Sequence, residues 1–99
     1  MKVFFIGDPM LANGYRLSGV DVKQVKTPEE MLSALEDVYK IKDAGIVLVD
    51  RDYSSQIKDK IERMRVKQAI PVLVEMPGRK TGADTDLKSM VGRIMGVKV

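Results

Sequence analysis

A chain of 99 residues is enough for one domain with one continuous core, burying roughly 65% of the surface that the unfolded chain would expose. It has no cysteine and no histidine, which excludes disulfides and thiolate metal sites and removes both the usual neutral-pH general base and the commonest metal ligand. Seventeen Lys and Arg against fourteen Asp and Glu give a net charge of +3, interspersed along the chain and not gathered into a nucleic-acid-binding block. No apolar run approaches the ~20 residues needed to cross a bilayer, and the N-terminal apolar stretch is too short for a signal peptide. The expected compartment is the cytosol, with no direct membrane insertion.

Lys2 to Ile6 reads as a strand with an unbroken apolar run, the pattern of burial on both faces of a parallel sheet. Asp8 and Pro9 then lead into a short helix, about Met10 to Leu17, ended by Gly19. Val20, Val22 and Val25, with Lys23 and Gln24 between them, mark a more polar edge strand. Thr27-Pro28-Glu29-Glu30 is a capping box: hydroxyl cap, proline at the first helical position and glutamate at the third. Met31, Leu35 and Val38 recur on one face of the helix that follows, with Leu32 and Tyr39 beside them.

Gly45 to Val49 and Pro71 to Val74 have the same continuous apolar character as the first strand, with Pro71 allowed only at the first position. Between them, a helix starting at Ser54 or Ser55 presents Ile57, Ile61 and Met64 as its apolar stripe. The basic residues of 51–68 are mixed with Asp52, Asp59 and Glu62, so this run reads as a solvated helix face, not a nucleic-acid contact. The order β-α-β-α-β-α-β implies an α/β fold: a small doubly wound parallel sheet, flavodoxin-like strand order 2-1-3-4, with helices on both faces. The expected organisation is an α/β domain over 1–76, a flexible loop over 77–85 and an amphipathic C-terminal helix over 86–99.

Two stretches invite a ligand-binding reading. Gly7, Gly14 and Gly19 follow the first strand, but they are spaced seven and five apart, which fits neither the dinucleotide fingerprint nor a P-loop; nor does "GRKTG" at 78–82. Asp8 and Asp50 end adjacent strands at the topological switch point, with Asp52 close by. Two carboxylates there would suit Mg²⁺, and a receiver-like domain that accepts a phosphoryl group on Asp50 has that arrangement. Against it, Pro9 stands where an acidic partner is usual, and the chain has no room for a fifth strand ending in lysine. The structural alternative is that Asp8 and Asp52 cap helix N-termini.

In the tail, Leu87, Val91 and Ile94 are spaced four then three, the rhythm of helix-on-helix packing, and Met90 and Met95 widen that face. Gly92 and Gly96 each lower helicity by up to ~1 kcal/mol relative to alanine. Such a short helix gains its order from the surface it docks on, either its own sheet or a partner.

"IGDP", "GYRLSG" (Gly14, Tyr15, Arg16, Leu17, Ser18, Gly19), "GIVLVD" and "PVLVEMPGR" together resemble the F subunits of archaeal and vacuolar-type rotary ATPases, and the similarity covers essentially the whole chain. The resemblance implies a four-stranded parallel α/β domain with a C-terminal helical tail. It implies a non-catalytic component of the central rotor stalk without a cofactor, cytoplasmic and peripheral to the membrane. It also implies binding to the coiled-coil D subunit of the rotor, with a tail that reaches toward the catalytic headpiece and modulates coupling of ATP turnover to ion transport. The partner-binding residues expected in that tail are Leu87, Met90, Val91, Ile94 and Met95. The alternative function is the receiver-like phosphoryl acceptor built on Asp8 and Asp50.

Overall fold

The computed structural model describes residues 1–80. The expected tail helix, with Leu87, Met90, Val91, Ile94 and Met95, lies outside the described residues, as does most of the expected loop.

Four strands, β1 (Lys2–Gly7), β2 (Asp21–Gln24), β3 (Ala44–Asp50) and β4 (Val72–Met76), form one parallel sheet in the order β2-β1-β3-β4. The helices are α1 (Pro9–Leu17), α2 (Pro28–Tyr39), α3 (Arg51–Ser54) and α4 (Lys58–Lys67), with a 3₁₀ turn at Ser55–Ile57 joining the last two. The α/β class, the strand order and the placement of helices on both faces match the expectation from sequence.

Local chemistry accounts for the boundaries. Asp8 caps α1 by accepting from the Leu11 N–H, and Pro9 takes the first helical position. Gly19 closes the same helix in the left-handed region at φ 88°. Thr27 Oγ1 accepts from the Glu30 N–H, while Glu30 Oε1 accepts from the Lys26 N–H, one residue earlier than a strict capping box requires.

One start differs from expectation. The helix after β3 begins at Arg51, not at Ser54 or Ser55, because the last residue of the strand, Asp50, is itself the cap: its Oδ1 accepts from the Asp52 N–H. The serines lie where this short helix tightens into the 3₁₀ turn. Pro71 stands just before β4, not within it.

Side-chain alternation along the strands separates two apolar layers. Phe4, Ile6, Val47, Val49 and Leu73 face α2, α3 and α4, where they bury Met31, Leu35, Val38, Ile57 and Ile61. On the opposite side, Phe5 is fully buried under α1 and stacks on Tyr15, with ring centroids 4.1 Å apart and planes at 15°. α1 covers only the β2–β1 half of that side. Register pairs Ile46 with Val72 and Leu48 with Val74, so these four share the uncovered half. Val72 is 52% exposed and Val74 39%, whereas the continuous apolar run suggests burial on both faces. The reason is topological: β4 is an edge strand, and among the described residues no helix crosses back over it.

Leu35 is fully buried in the larger layer, so Leu35→Ala is expected to lower unfolding free energy by about 2–5 kcal/mol in urea denaturation. The Tyr39 hydroxyl is buried with no hydrogen-bond partner among the described residues. Tyr39→Phe therefore removes an uncompensated desolvation cost, and the same assay should find it neutral or stabilised by up to about 1 kcal/mol. A loss of more than that would mean that the hydroxyl has a partner.

Candidate functional site

The carboxyl ends of β1 and β3 meet at the switch point, and they bring together the carboxylates that the sequence singles out. Asp50 is fully buried. Its Oδ2 accepts from the Asp8 N–H at 3.2 Å and its Oδ1 from the Asp52 N–H at 3.0 Å. One side chain thus ties the exit of β1 to the start of α3. Asp8 points outward from this node; Oδ1 takes the Leu11 N–H at 3.0 Å and Oδ2 takes the Arg79 guanidinium at 2.8 Å. Asp52 departs from the expectation of a cap on its own helix. Its Oδ2 accepts from the Lys80 N–H at 2.9 Å, 28 residues away in sequence.

Glycines make room for this packing. A Cβ on Gly7 would lie 2.7 Å from Asp50 Cβ, and one on the buried Gly78 would overlap the Asp50 and Asp52 carboxylates. The chain after β4 therefore folds directly over the buried acid. Ser54 Oγ completes the rim by donating to Glu75 Oε2 at 2.8 Å. Beside the rim, Asp8, Asp52, Tyr53 and Arg79 line an open cleft of about 430 Å³.

The environments push the two central acids apart. Burial raises the Asp50 pKa, and the neighbouring charges of Asp52 and Asp8 raise it further, against the lowering effect of its two backbone N–H bonds. For Asp8 burial also acts upward, but the Leu11 N–H and the Arg79 guanidinium outweigh it and the pKa falls below the ordinary 3.8.

This arrangement holds structure together; it does not present a reactive group. The receiver-like reading needs an Asp50 oxygen open to a phosphoryl donor; each accepts a backbone N–H, and Gly78 packs against Oδ1. Among the described residues no group of three or more acidic side chains is placed to hold a metal ion.

The "GYRLSG" motif forms the second half of α1 and its end. Tyr15 is the inward ring that stacks on Phe5, and Gly19 supplies the left-handed turn. Arg16 is exposed and donates to Asn13 Oδ1. Gly14 has open space where a Cβ would stand. Leu17 is 90% exposed and Met10, two turns earlier, 65%. Met10, Gly14 and Leu17 therefore form an apolar stripe on the solvent side of a helix whose other side is already buried. Sequence reasoning missed the roles of Gly78 and Arg79; their one signal was a Pro-Gly turn placed immediately after the last strand.

The fold and site together define a small doubly wound domain whose switch-point acids are used as internal caps. The sequence matches the family described as ATP synthase (F/14-kDa) subunit over residues 3–94. It is 29% identical over 97 residues to the F subunit of the A-type ATP synthase of Archaeoglobus fulgidus, covering 97% of this chain and 94% of that one. It is 28% identical over 102 residues to the F subunit of the A-type ATP synthase of Methanocaldococcus jannaschii, covering 100% and 99%. The crystal structure of the F subunit of the V-type ATP synthase from Archaeoglobus fulgidus superposes with a TM-score of 0.66 at 29% identity, covering 76% of this chain and 95% of that one. The chain belongs to the family of ATP synthase (F/14-kDa) subunits, whose members are accessory and not catalytic components of the complex. Among the described residues no helix is long and apolar enough to cross a membrane.

The opposed acids give a pH dependence. Asp8, with its lowered pKa, contributes stability that is present above 3.8 and lost as pH falls through its folded-state value. Asp50, with its raised pKa, works the other way: stability declines as pH rises from 3.8 through its folded-state value. Asp8→Asn keeps a good helix cap but removes the charge facing Arg79. The variant should be less stable than the parent at neutral pH, and the difference should close in acid below the Asp8 pKa. Urea midpoints measured across that range check this, and a gap independent of pH would contradict it.

Proposed function

We propose that this chain is a rotor-stalk component of an A/V-type ATP synthase that binds the coiled-coil D subunit and modulates the coupling of ATP turnover to ion transport through its C-terminal segment. The observation that carries this reading is the apolar half of the sheet, Ile46, Leu48, Val72 and Val74, that no element among the described residues covers. A face of that kind costs free energy in water, and a docked helix would cover it. Residues 86–99 would span about 21 Å as a helix, against about 17 Å for the five residues of β4, so the segment is long enough to do so. Leu87, Met90, Val91, Ile94 and Met95 supply a matching apolar side.

A segment that folds back on this face and also extends toward the headpiece has two states. Partners that bind one of them better shift the balance. The stripe of Met10, Gly14 and Leu17 on α1 is the surface we assign to the long helices of the D subunit. Gly14 in its centre lets a partner backbone approach closely. The rigid sheet behind it suits a part that must turn as a body.

Removing residues 84–99 from the chain in an assembled complex should change the rate of ATP hydrolysis while leaving the stalk joined. Unchanged assembly together with unchanged hydrolysis would contradict the role given to the tail. Leu17→Asp should leave the stability of the isolated chain within about 0.5 kcal/mol, because the side chain touches solvent. It should weaken binding to the purified D subunit by roughly tenfold or more, measured by calorimetry.

A further inference from the structure

The residues just after β4 make specific contacts with residues distant in sequence, although a two-glycine, proline-containing sequence marks them as a loop. Gly78 is buried against the Asp50 and Asp52 carboxylates. Arg79 and Lys80 have helical backbone. Arg79 Nη1 pairs with Asp8 Oδ2 at 2.8 Å, and the Lys80 N–H is accepted by Asp52 Oδ2 at 2.9 Å. Three successive residues thus meet three acids gathered where β1 and β3 end: Asp8 capping α1, Asp50 closing β3 and Asp52 in the first turn of α3. An N–H at the start of a helical turn has no partner of its own within that turn. Asp52 fills the place that a local cap residue would otherwise take.

We propose that Asp8, Asp52, Arg79 and Lys80 form a latch that fixes the root of the C-terminal segment to the carboxyl end of the sheet and so sets the direction in which residues 81–99 leave the domain. Asp50 is its floor. The latch is of one piece with the fold, because the same carboxylates start α1 and α3: Asp8 caps α1, and Asp50 is joined to both Asp8 and the Asp52 N–H. Its outer half is accessible to solvent, since the Arg79 side chain is 53% exposed against 11% for Asp8. An exposed cation on a nearly buried acid opens and closes at small cost. The latch does not depend on which surface the C-terminal segment finds, so it survives failure of the assignment to the D subunit.

The test uses the full chain. The Lys80 amide is followed by hydrogen exchange in the parent and in Arg79→Ala, Asp8→Asn and Asp52→Ala, with core amides such as Phe5 and Val47 as internal references. Asp8→Asn retains the α1 cap and guards against a folding artefact. Arg79→Ala and Asp8→Asn should each speed Lys80 exchange by about two- to fivefold, and the pair together by no more than either alone. Asp52→Ala should speed it by roughly fivefold, as loss of a cap does. Arg79→Lys should recover part of the protection. The chain has no cysteine. Spin labels placed through Glu36→Cys and Lys98→Cys therefore report the distance from domain to tail, and that distribution should broaden in Arg79→Ala. Parent-like Lys80 exchange in Arg79→Ala and Asp8→Asn would overturn the proposal, as would acceleration of the core amides to the same degree. An unchanged distance distribution would overturn it too.

Discussion

The buried carboxylate of Asp50 is the interaction on which the rest of this structure depends. A fully desolvated acid is costly unless its oxygens are satisfied. Here each oxygen receives one backbone N–H, from Asp8 and from Asp52, and both come from places where the chain must turn sharply out of a strand. The arrangement fixes the spacing of β1 and β3 at the centre of the sheet. It starts α3 within the last residue of a strand and leaves the Asp8 side chain to start α1. It also limits what can pass over the switch point: glycine at positions 7 and 78, where any side chain would collide with the acid or its neighbours. In many doubly wound domains the corresponding crevice receives a ligand. In this one it receives the chain's own residues 78–80.

That difference explains why a constellation suggestive of chemistry belongs to a protein without catalytic duty. The acids are present at the place the fold prescribes, but their oxygens accept from backbone N–H groups and a guanidinium of the chain itself. What the domain offers to its surroundings is shape and apolar surface. One side of the sheet is packed end to end under α2, α3 and α4, giving a rigid body. The other is closed by α1 over β2 and β1, and among the described residues nothing covers it over β3 and β4. The exposed Met10 and Leu17 add a second apolar area on the outside of α1. For an accessory component of an ATP synthase, contact surface is the property that matters.

Much of this was legible in the sequence, and the parts that were not share a physical cause. Unbroken runs such as Val3–Ile6 and Gly45–Val49 announced a parallel sheet, and Thr27-Pro28-Glu29-Glu30 announced α2 almost to the residue, because strand burial and capping are local properties. The start of α3 was misplaced because Asp50 serves two elements at once, and no periodicity marks a strand end that is also a cap. The exposure of Val72 and Val74 was missed because an apolar run reports what a strand can bury and not whether a helix lies over it. Asp52 reads as a local cap in the sequence when its partner is Lys80. Contacts between distant segments, like the ion pair of Asp8 and Arg79, leave no mark in spacing. The family resemblance carried by Gly14–Gly19 and Pro71–Pro77 was readable, and it reflected an inward ring, a helix end and an outward leucine more than a binding loop.

Under the proposed function, the open face of β3 and β4 is the resting place of the C-terminal segment and is vacated when the chain joins its complex. The direct measurement is paramagnetic broadening of the Val72 and Val74 methyl resonances by a spin label introduced through Lys98→Cys in the full chain. Strong broadening is expected in the free protein, and it should disappear when the D subunit and the headpiece are bound. Sharp Val72 and Val74 methyl signals in the free, labelled chain would contradict that role for the open face.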